Sequence, residues 1–291
     1  MGDFKIISDS TCDLSPAQAA ALDVDIVPLY TTVNGRDYLK ERVELTMEAF
    51  YKAMREEHVM PRTSQPSVED YMNAFTPYLD DGRDILCFCL TATFSGSYQS
   101  AVGAANILKE RYPERQIFIV DSMTVSYGIM CMINEARRLA GEGVPISGIY
   151  DLLNRDKVFT RAYFTVDSLE YLRRGGRIGG LASLVGTLFD IKPVGIMKDG
   201  VLTATGKART QKRAIEQLVK LSAEYTEGRP EDYFICAIHT DRPGDAETVL
   251  GLLARELGGC ALPPALQLGT TVGTHAGPDL VGVMMFRKIS A

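Results

Sequence analysis

The sequence predicts an α/β protein in two parts: an N-terminal three-layer unit on a parallel sheet, packed against a smaller α+β unit. Up to about residue 140, apolar runs of strand length alternate with stretches in helical spacing, which implies right-handed crossovers and parallel strands. Small polar loops follow three of these strands, at residues 8–11, 93–97 and 121–126. In parallel sheets, ligands sit at that end of the strands. Beyond about residue 155 the texture changes to strands joined by a hairpin and covered by two helices. That change sets the expected units at 1–155 and 156–291, packed closely, because no low-complexity linker separates them.

The elements follow from local signals. Residues 4–8 are apolar enough for a first strand. Ser15 before Pro16 is a helix start, and that helix ends near Leu22. Residues 26–33 read as one strand closed by the turn pair Asn34-Gly35. Thr46 caps a helix carrying Met47, Phe50, Tyr51 and Met54, and residues 61–67 read as a loop. Ser67 with Asp70 forms a capping box for the next helix. Residues 85–90, ILCFCL, are a strand, and helical spacing resumes with Val102, Ala105 and Leu108. A strand over 116–120, a helix over 126–140 and a helix ending near Asn154 complete the first unit.

In the second unit, 159–166 is a strand, followed by the glycine-rich RRGGRIGG at 173–180 and a short apolar helix. Residues 191–197 and 201–205 form a hairpin around Lys198-Asp199-Gly200. A long helix to Tyr225, a strand over 233–239, a helix over 245–257 and strands over 265–268 and 281–286 follow.

Composition excludes several function classes. The 291 residues are 46% hydrophobic and 23% charged, ordinary globular values. A net charge of −6 and a pI near 5.3 argue against a nucleic-acid partner, which favours a basic face. No apolar run approaches membrane-spanning length and the N-terminus shows no signal-peptide pattern, so a cytoplasmic protein is expected. Cys87 and Cys89 form a C-x-C with no second pair, and His58, His239 and His275 are not spaced as a metal cluster. No metal and no cofactor are expected.

A helix starting near Ser97 presents free N–H groups and its positive dipole end to the preceding loop. Ser95 and Ser97 add hydroxyls beside Gly96, whose missing side chain permits close approach. These serines read equally as helix caps or as anion donors. RRGGRIGG lacks the order of a phosphate loop and reads as a tight turn whose arginines pair with acids or face a partner. His275, flanked by Gly273 and Gly277, is a loop histidine that is either solvated or aimed at a ligand. With Ser95 it suggests an acyl hydrolase, although no G-x-S-x-G elbow is present. Thr63 and Ser64 are either loop punctuation or binding groups.

Taken together, several signatures resemble the DegV family of bacterial lipid-binding proteins. They are Ser8-Asp9-Ser10-Thr11 with Asp13-Leu14, Thr63-Ser64-Gln65-Pro66-Ser67, Ser95-Gly96-Ser97-Tyr98-Gln99-Ser100-Ala101, and Asp121-Ser122 with Ser126 and Gly128. In the second half they are Leu169, Tyr171-Leu172, Arg174-Gly175-Gly176-Arg177-Ile178, Lys192-Pro193 and Gly273 with His275, Gly277 and Pro278. The resemblance implies a non-enzymatic subunit that encloses a long-chain fatty acid and presents its carboxylate to a separate ATP-using kinase subunit, which forms acyl phosphate. It implies that Thr63 and Ser95 hold the carboxylate with His275 close by. It further implies that Ser64, Gly96, Ser97, Arg174, Arg177 and Arg209 lie near the ligand or the partner, with at most transient membrane contact for lipid exchange. The competing reading is the serine acyl hydrolase using Ser95 and His275. Phe94 stands where the family usually has leucine, and Asp279 where it commonly has glycine.

Burying about 14 methylenes at roughly 0.8 kcal/mol each gives on the order of 11 kcal/mol before ordering costs. A buried carboxylate cancels much of that unless donors meet it. Leu181, Leu184, Val185, Leu188, Ile191, Val194 and Ile196 offer an apolar wall for the tail, or, for most of them, ordinary core.

Overall fold

A computed structural model describes residues 4–184 and 191–290, and its first half is wound on a parallel sheet. The order begins with β1 (Phe4–Asp9), a 3-10 turn at Ser10–Cys12 and α1 (Pro16–Ala21), opened by a reciprocal capping box between Ser15 and Gln18. β2 (Val24–Val27), β3 (Tyr30–Thr32), β4 (Leu39–Lys40) and α2 (Met47–Glu56), capped by Thr46, come next. β5 (Arg62–Ser64) and α3 (Val68–Asp80), with the Ser67–Asp70 box, precede β6 (Asp84–Cys89) and α4 (Ser97–Arg111). β7 (Ile117–Asp121), α5 (Tyr127–Gly141) and α6 (Ile146–Asp156) complete this half.

β2, β1, β6 and β7 lie side by side in that order, every pair parallel. The expected single strand at 26–33 is two strands in two sheets. Pro28 has no N–H for a ladder, and the N–H of Leu29 goes to the Ser10 hydroxyl at 2.9 Å. The chain therefore leaves the parallel sheet and β3 pairs antiparallel with β4 and β5. The expected loop at 61–67 thus begins as a strand, with Thr63 opposite Thr31.

The second half carries β8 (Arg161–Thr165), α7 (Glu170–Arg174), a 3-10 stretch at Gly179–Leu184, β9 (Lys192–Lys198) and β10 (Val201–Ala208). It continues with α8 (Gln211–Tyr225), β11 (Tyr233–His239), α9 (Pro243–Glu256), β12 (Leu266–Gln267), α10 (Thr270–Ala276) and β13 (Val281–Arg287). The six strands run β10-β9-β8-β13-β11-β12, antiparallel except for the β11–β12 pair. The β9–β10 hairpin turns through only Asp199 and Gly200, at φ 52° and 77°. Two successive positive φ values suit a tight hairpin turn, and glycine takes the second without strain.

Strand alternation gives this larger sheet two apolar faces. Tyr163, Val194, Ile196, Val283 and Met285 pack beneath α8 and α9. Ala162, Phe164, Met197, Met284 and Phe286 face the first half and share a core with Ile6, Leu86 and Phe88 of the parallel sheet. Val194 and Ile196 therefore lie on the face away from the expected tail. Leu181 is buried in the shared core, Leu184 packs against it and Ile191 is half-buried. Val185 and Leu188 fall outside the described residues. Among the described residues, no helix is long and apolar enough to cross a membrane.

Candidate functional site

Loops at the carboxyl ends of the parallel strands meet the inner face of the larger sheet around a cavity of about 380 Å³. Leu29, Leu90 and Val125 reach it from the first half; Ala162, Phe164, Met197 and Met284 reach it from the second. Thr63, Ser64, Gln65, Ser95, Arg177, Thr271 and His275 supply its polar lining.

Asp9 organises the loop after β6. Its fully buried carboxylate accepts the Thr11 N–H at 3.2 Å, the Thr11 hydroxyl at 2.5 Å, the Leu90 N–H at 2.8 Å and the Ser97 hydroxyl at 3.0 Å. Burial nevertheless pushes its pKa up to about 6. Ser97 also bonds the Tyr71 hydroxyl at 2.6 Å, so its side chain is committed to the core rather than to a ligand. The Ser97 N–H donates to Ser95 Oγ at 3.2 Å. The two readings of Ser95 therefore coexist, since its oxygen accepts from the helix start while its hydrogen has no assigned acceptor among the described residues. Gly96 is the N-cap of α4 and lies beneath Gln65, which reaches Ser100 Oγ at 3.1 Å and ties the 61–67 segment to that helix.

His275 is in the last turn of α10, not in a loop; the left-handed Gly277, at φ 79°, ends the helix behind it. Its Nε2 lies 2.9 Å from Thr63 Oγ1, and its buried Nδ1 has no hydrogen-bond partner among the described residues. A buried donor without an acceptor is the costlier defect, so the hydrogen belongs on Nε2. Nε2–H then donates to Thr63, whose own hydrogen is left for a ligand. Burial, with the Arg177 charge alongside, pulls the pKa of His275 down to about 4, so the ring is neutral near pH 7.

The glycine-rich turn supports this imidazole. A Cβ at Gly175 would overlap His275 Nδ1. Arg173 and Arg174 both pair with Glu170, at 2.8 and 2.5 Å, while Arg177 donates to the carbonyls of Phe94 at 2.8 Å and Gly175 at 2.5 Å. Gly175 has an ordinary helical φ, so Gly175→Ala acts by overlap alone. It is expected to displace the imidazole and destabilise the fold by about 1–3 kcal/mol. A melting curve identical to that of the parent protein would contradict the placement of His275.

Two carboxylates support α10, one of them, Glu41, missed by the sequence reading. Glu41 accepts from Ser10 Oγ at 2.5 Å, Thr270 Oγ1 at 3.1 Å, and the N–H and hydroxyl of Thr271 at 2.7 and 2.8 Å. Asp13 accepts the Gly269 N–H at 3.1 Å. Asp279, the departure beside His275, pairs with Arg55 at 2.8 Å, and Arg55 also holds Asp241 at 2.8 Å. That loop is thereby clamped to α2.

Thr63, Arg177 and His275 also wall a second depression of about 460 Å³, which adds Arg62, Arg174, Tyr38 and Tyr171. Arg209 lines neither space and is exposed between β10 and α8. The hydrolase alternative finds no geometric support. His275 Nε2 engages Thr63 rather than Ser95, and among the described residues no carboxylate orients Nδ1.

A family model described as uncharacterised protein, DegV family, matches residues 3–288. A DegV domain-containing protein of Clostridium perfringens is 33% identical over 287 residues, 97% of each chain. One from Caldanaerobacter subterraneus is 32% identical over 295 residues, covering 99% of this chain and all of the other. Among solved structures, a stearic acid-binding protein from Eubacterium ventriosum superposes with a TM-score of 0.90 at 30% identity, with 98% of both chains covered. A fatty acid-binding DegV family protein from Thermus thermophilus gives 0.85 at 31% identity, over 99% of this chain and 100% of that one.

Proposed function

This chain belongs to the DegV family, and we propose that it binds a long-chain fatty acid, tail in the apolar cavity and carboxylate at Thr63 and Ser95 beside His275. The observation that carries this reading is the composition of that cavity. Aliphatic, aromatic and thioether side chains form most of its wall, while a hydroxyl backed by a neutral imidazole and a second hydroxyl at a helix start sit together in its polar lining. Such donors meet an anion without adding a competing charge, and the dipole of α4 helps.

The protein then acts as a carrier subunit, with residues 1–155 supplying most of the carboxylate cradle and residues 156–291 covering the chain. A separate ATP-dependent kinase subunit phosphorylates the carboxyl group. Support for this step is the arginine-bearing depression behind Thr63 and His275, through which a partner reaches the acid. Ser64, Gly96, Arg174, Arg177 and the exposed Arg209 form its contact area, and Ser97 acts by fixing the loop. We place the protein in the bacterial cytoplasm, touching membrane only to exchange lipid.

Mass spectrometry of lipid extracted from the purified protein under denaturing conditions tests the ligand. A stoichiometric long-chain fatty acid is expected, and an amphiphile with another headgroup would overturn the assignment. The loaded protein, incubated with ATP and its kinase subunit, should yield acyl phosphate trapped as hydroxamate. Free acid released from an ester by the protein alone would restore the hydrolase reading.

A further inference from the structure

The inner face of the six-stranded sheet closes one side of the cavity, and side-chain size changes abruptly from rung to rung. Phe164 on β8 stands opposite Gly195 on β9 and Gly282 on β13. On the adjacent inward rung Ala162 sits between Met197 and Met284. All of these but the glycines line the cavity.

The two glycines flank the aromatic ring for different reasons. At Gly282 a Cβ would strike the Tyr163 carbonyl oxygen, so the backbone alone requires glycine there. At Gly195 the three nearest atoms all belong to the Phe164 ring, with Cζ at 2.7 Å and the Cε atoms at 3.0 and 3.1 Å from an added Cβ. The ring therefore lies over β9, in space that any side chain at position 195 would claim. Backbone closes off the β13 side, where a Cβ on Gly282 would be 2.9 Å from Phe164 Cβ. Phe164 lines the cavity, which is open space beside the ring.

We propose that the Phe164–Gly195 pair determines which acyl tails fit: a bare position 195 lets the ring lie against the sheet and opens the cavity to long chains. A side chain at 195 lifts the ring into the space of the tail. The methionines of the next rung conform to a chain, whereas the ring is a rigid wall. This inference rests on the fatty-acid reading above.

The test compares parent protein, Gly195→Ala, Phe164→Leu and the double variant, each extracted under denaturing conditions and profiled by chain length. Gly195→Ala is expected to lower the ratio of 18-carbon to 14-carbon acid by about tenfold or more, the discrimination that one or two methylenes of lost room give. Phe164→Leu in the Gly195→Ala background should restore the parent profile, because the displaced ring is gone. An unchanged profile in Gly195→Ala, or a shift that Phe164→Leu does not reverse, overturns the proposal while leaving the fatty-acid reading intact. A parent protein that carries no fatty acid overturns that reading, and this one with it. Should Gly195→Ala fail to fold, Phe164→Leu alone reads the same wall from the other side: its profile should extend to longer chains, and an unaltered profile overturns the proposal.

Discussion

Thr63→Ala combined with Ser95→Ala is expected to leave the purified protein with little of its fatty acid. Each hydroxyl is positioned by a fixed neighbour, Thr63 by His275 at 2.9 Å and Ser95 by the Ser97 N–H at 3.2 Å, so each offers its hydrogen without further ordering. A hydrogen bond to a charged group contributes about 1.5–3 kcal/mol, so the pair corresponds to roughly a hundredfold to ten-thousandfold loss of affinity. The tail contacts are untouched, so weak binding persists at high ligand concentration. The readouts are fatty acid per protein after purification and displacement of a fluorescent fatty acid. Parent-like occupancy and affinity in the double variant would remove these two groups from the anchor.

Asp9→Ala is expected to be the most damaging single change to the fold. It strands four buried donors at once: two backbone N–H groups, from Thr11 and Leu90, and two hydroxyls, from Thr11 and Ser97. An unsatisfied buried donor costs about 1–3 kcal/mol, and even partial additivity consumes much of the 5–15 kcal/mol by which domains are stable. Asp9→Asn separates charge from shape. Burial raises the Asp9 pKa from the ordinary 3.8 to about 6, so the folded state holds its proton more tightly. That contribution to stability is fully present below about pH 4 and is lost as pH rises through 6. The deficit of Asp9→Asn relative to the parent should therefore be greatest near pH 4 and shrink toward pH 7, read by denaturant unfolding at each pH. A deficit that grows with pH would mean that Asp9 is ionised and held by its donors over that whole range.

What the sequence made legible was local. The start Ser15-Pro16, the capping pair Ser67–Asp70 and the cap Thr46 declare themselves within four residues, and the helices start where they stand. The switch from β2 to β3 was hidden, because residues 26–33 are continuously apolar or β-prone and only Pro28 marks the break. Which of the candidate residues wall the cavity was hidden for a related reason. The larger sheet is buried on both faces, so Val194 and Ile196 look no different in sequence from Met197, and only register decides which side they line. Ser95 and His275 drew attention through the helix start and the flanking glycines, Thr63 only through motif resemblance, and all three line one cavity. Glu41 was not found, because an acidic residue in a polar stretch reads as surface until its four donors, from Ser10, Thr270 and Thr271, arrive from distant segments.

The hollow lies against the core that both halves share, which makes its occupant a structural member. Its apolar wall is less densely packed than a filled interior, so an occupant adds contacts to that core. A ligand at a thousand times its Kd returns about 4 kcal/mol through mass action. Depletion of the proposed ligand would then shorten the lifetime of the polypeptide in the presence of proteases, and the abundance of the protein would follow that of its ligand without any dedicated regulator.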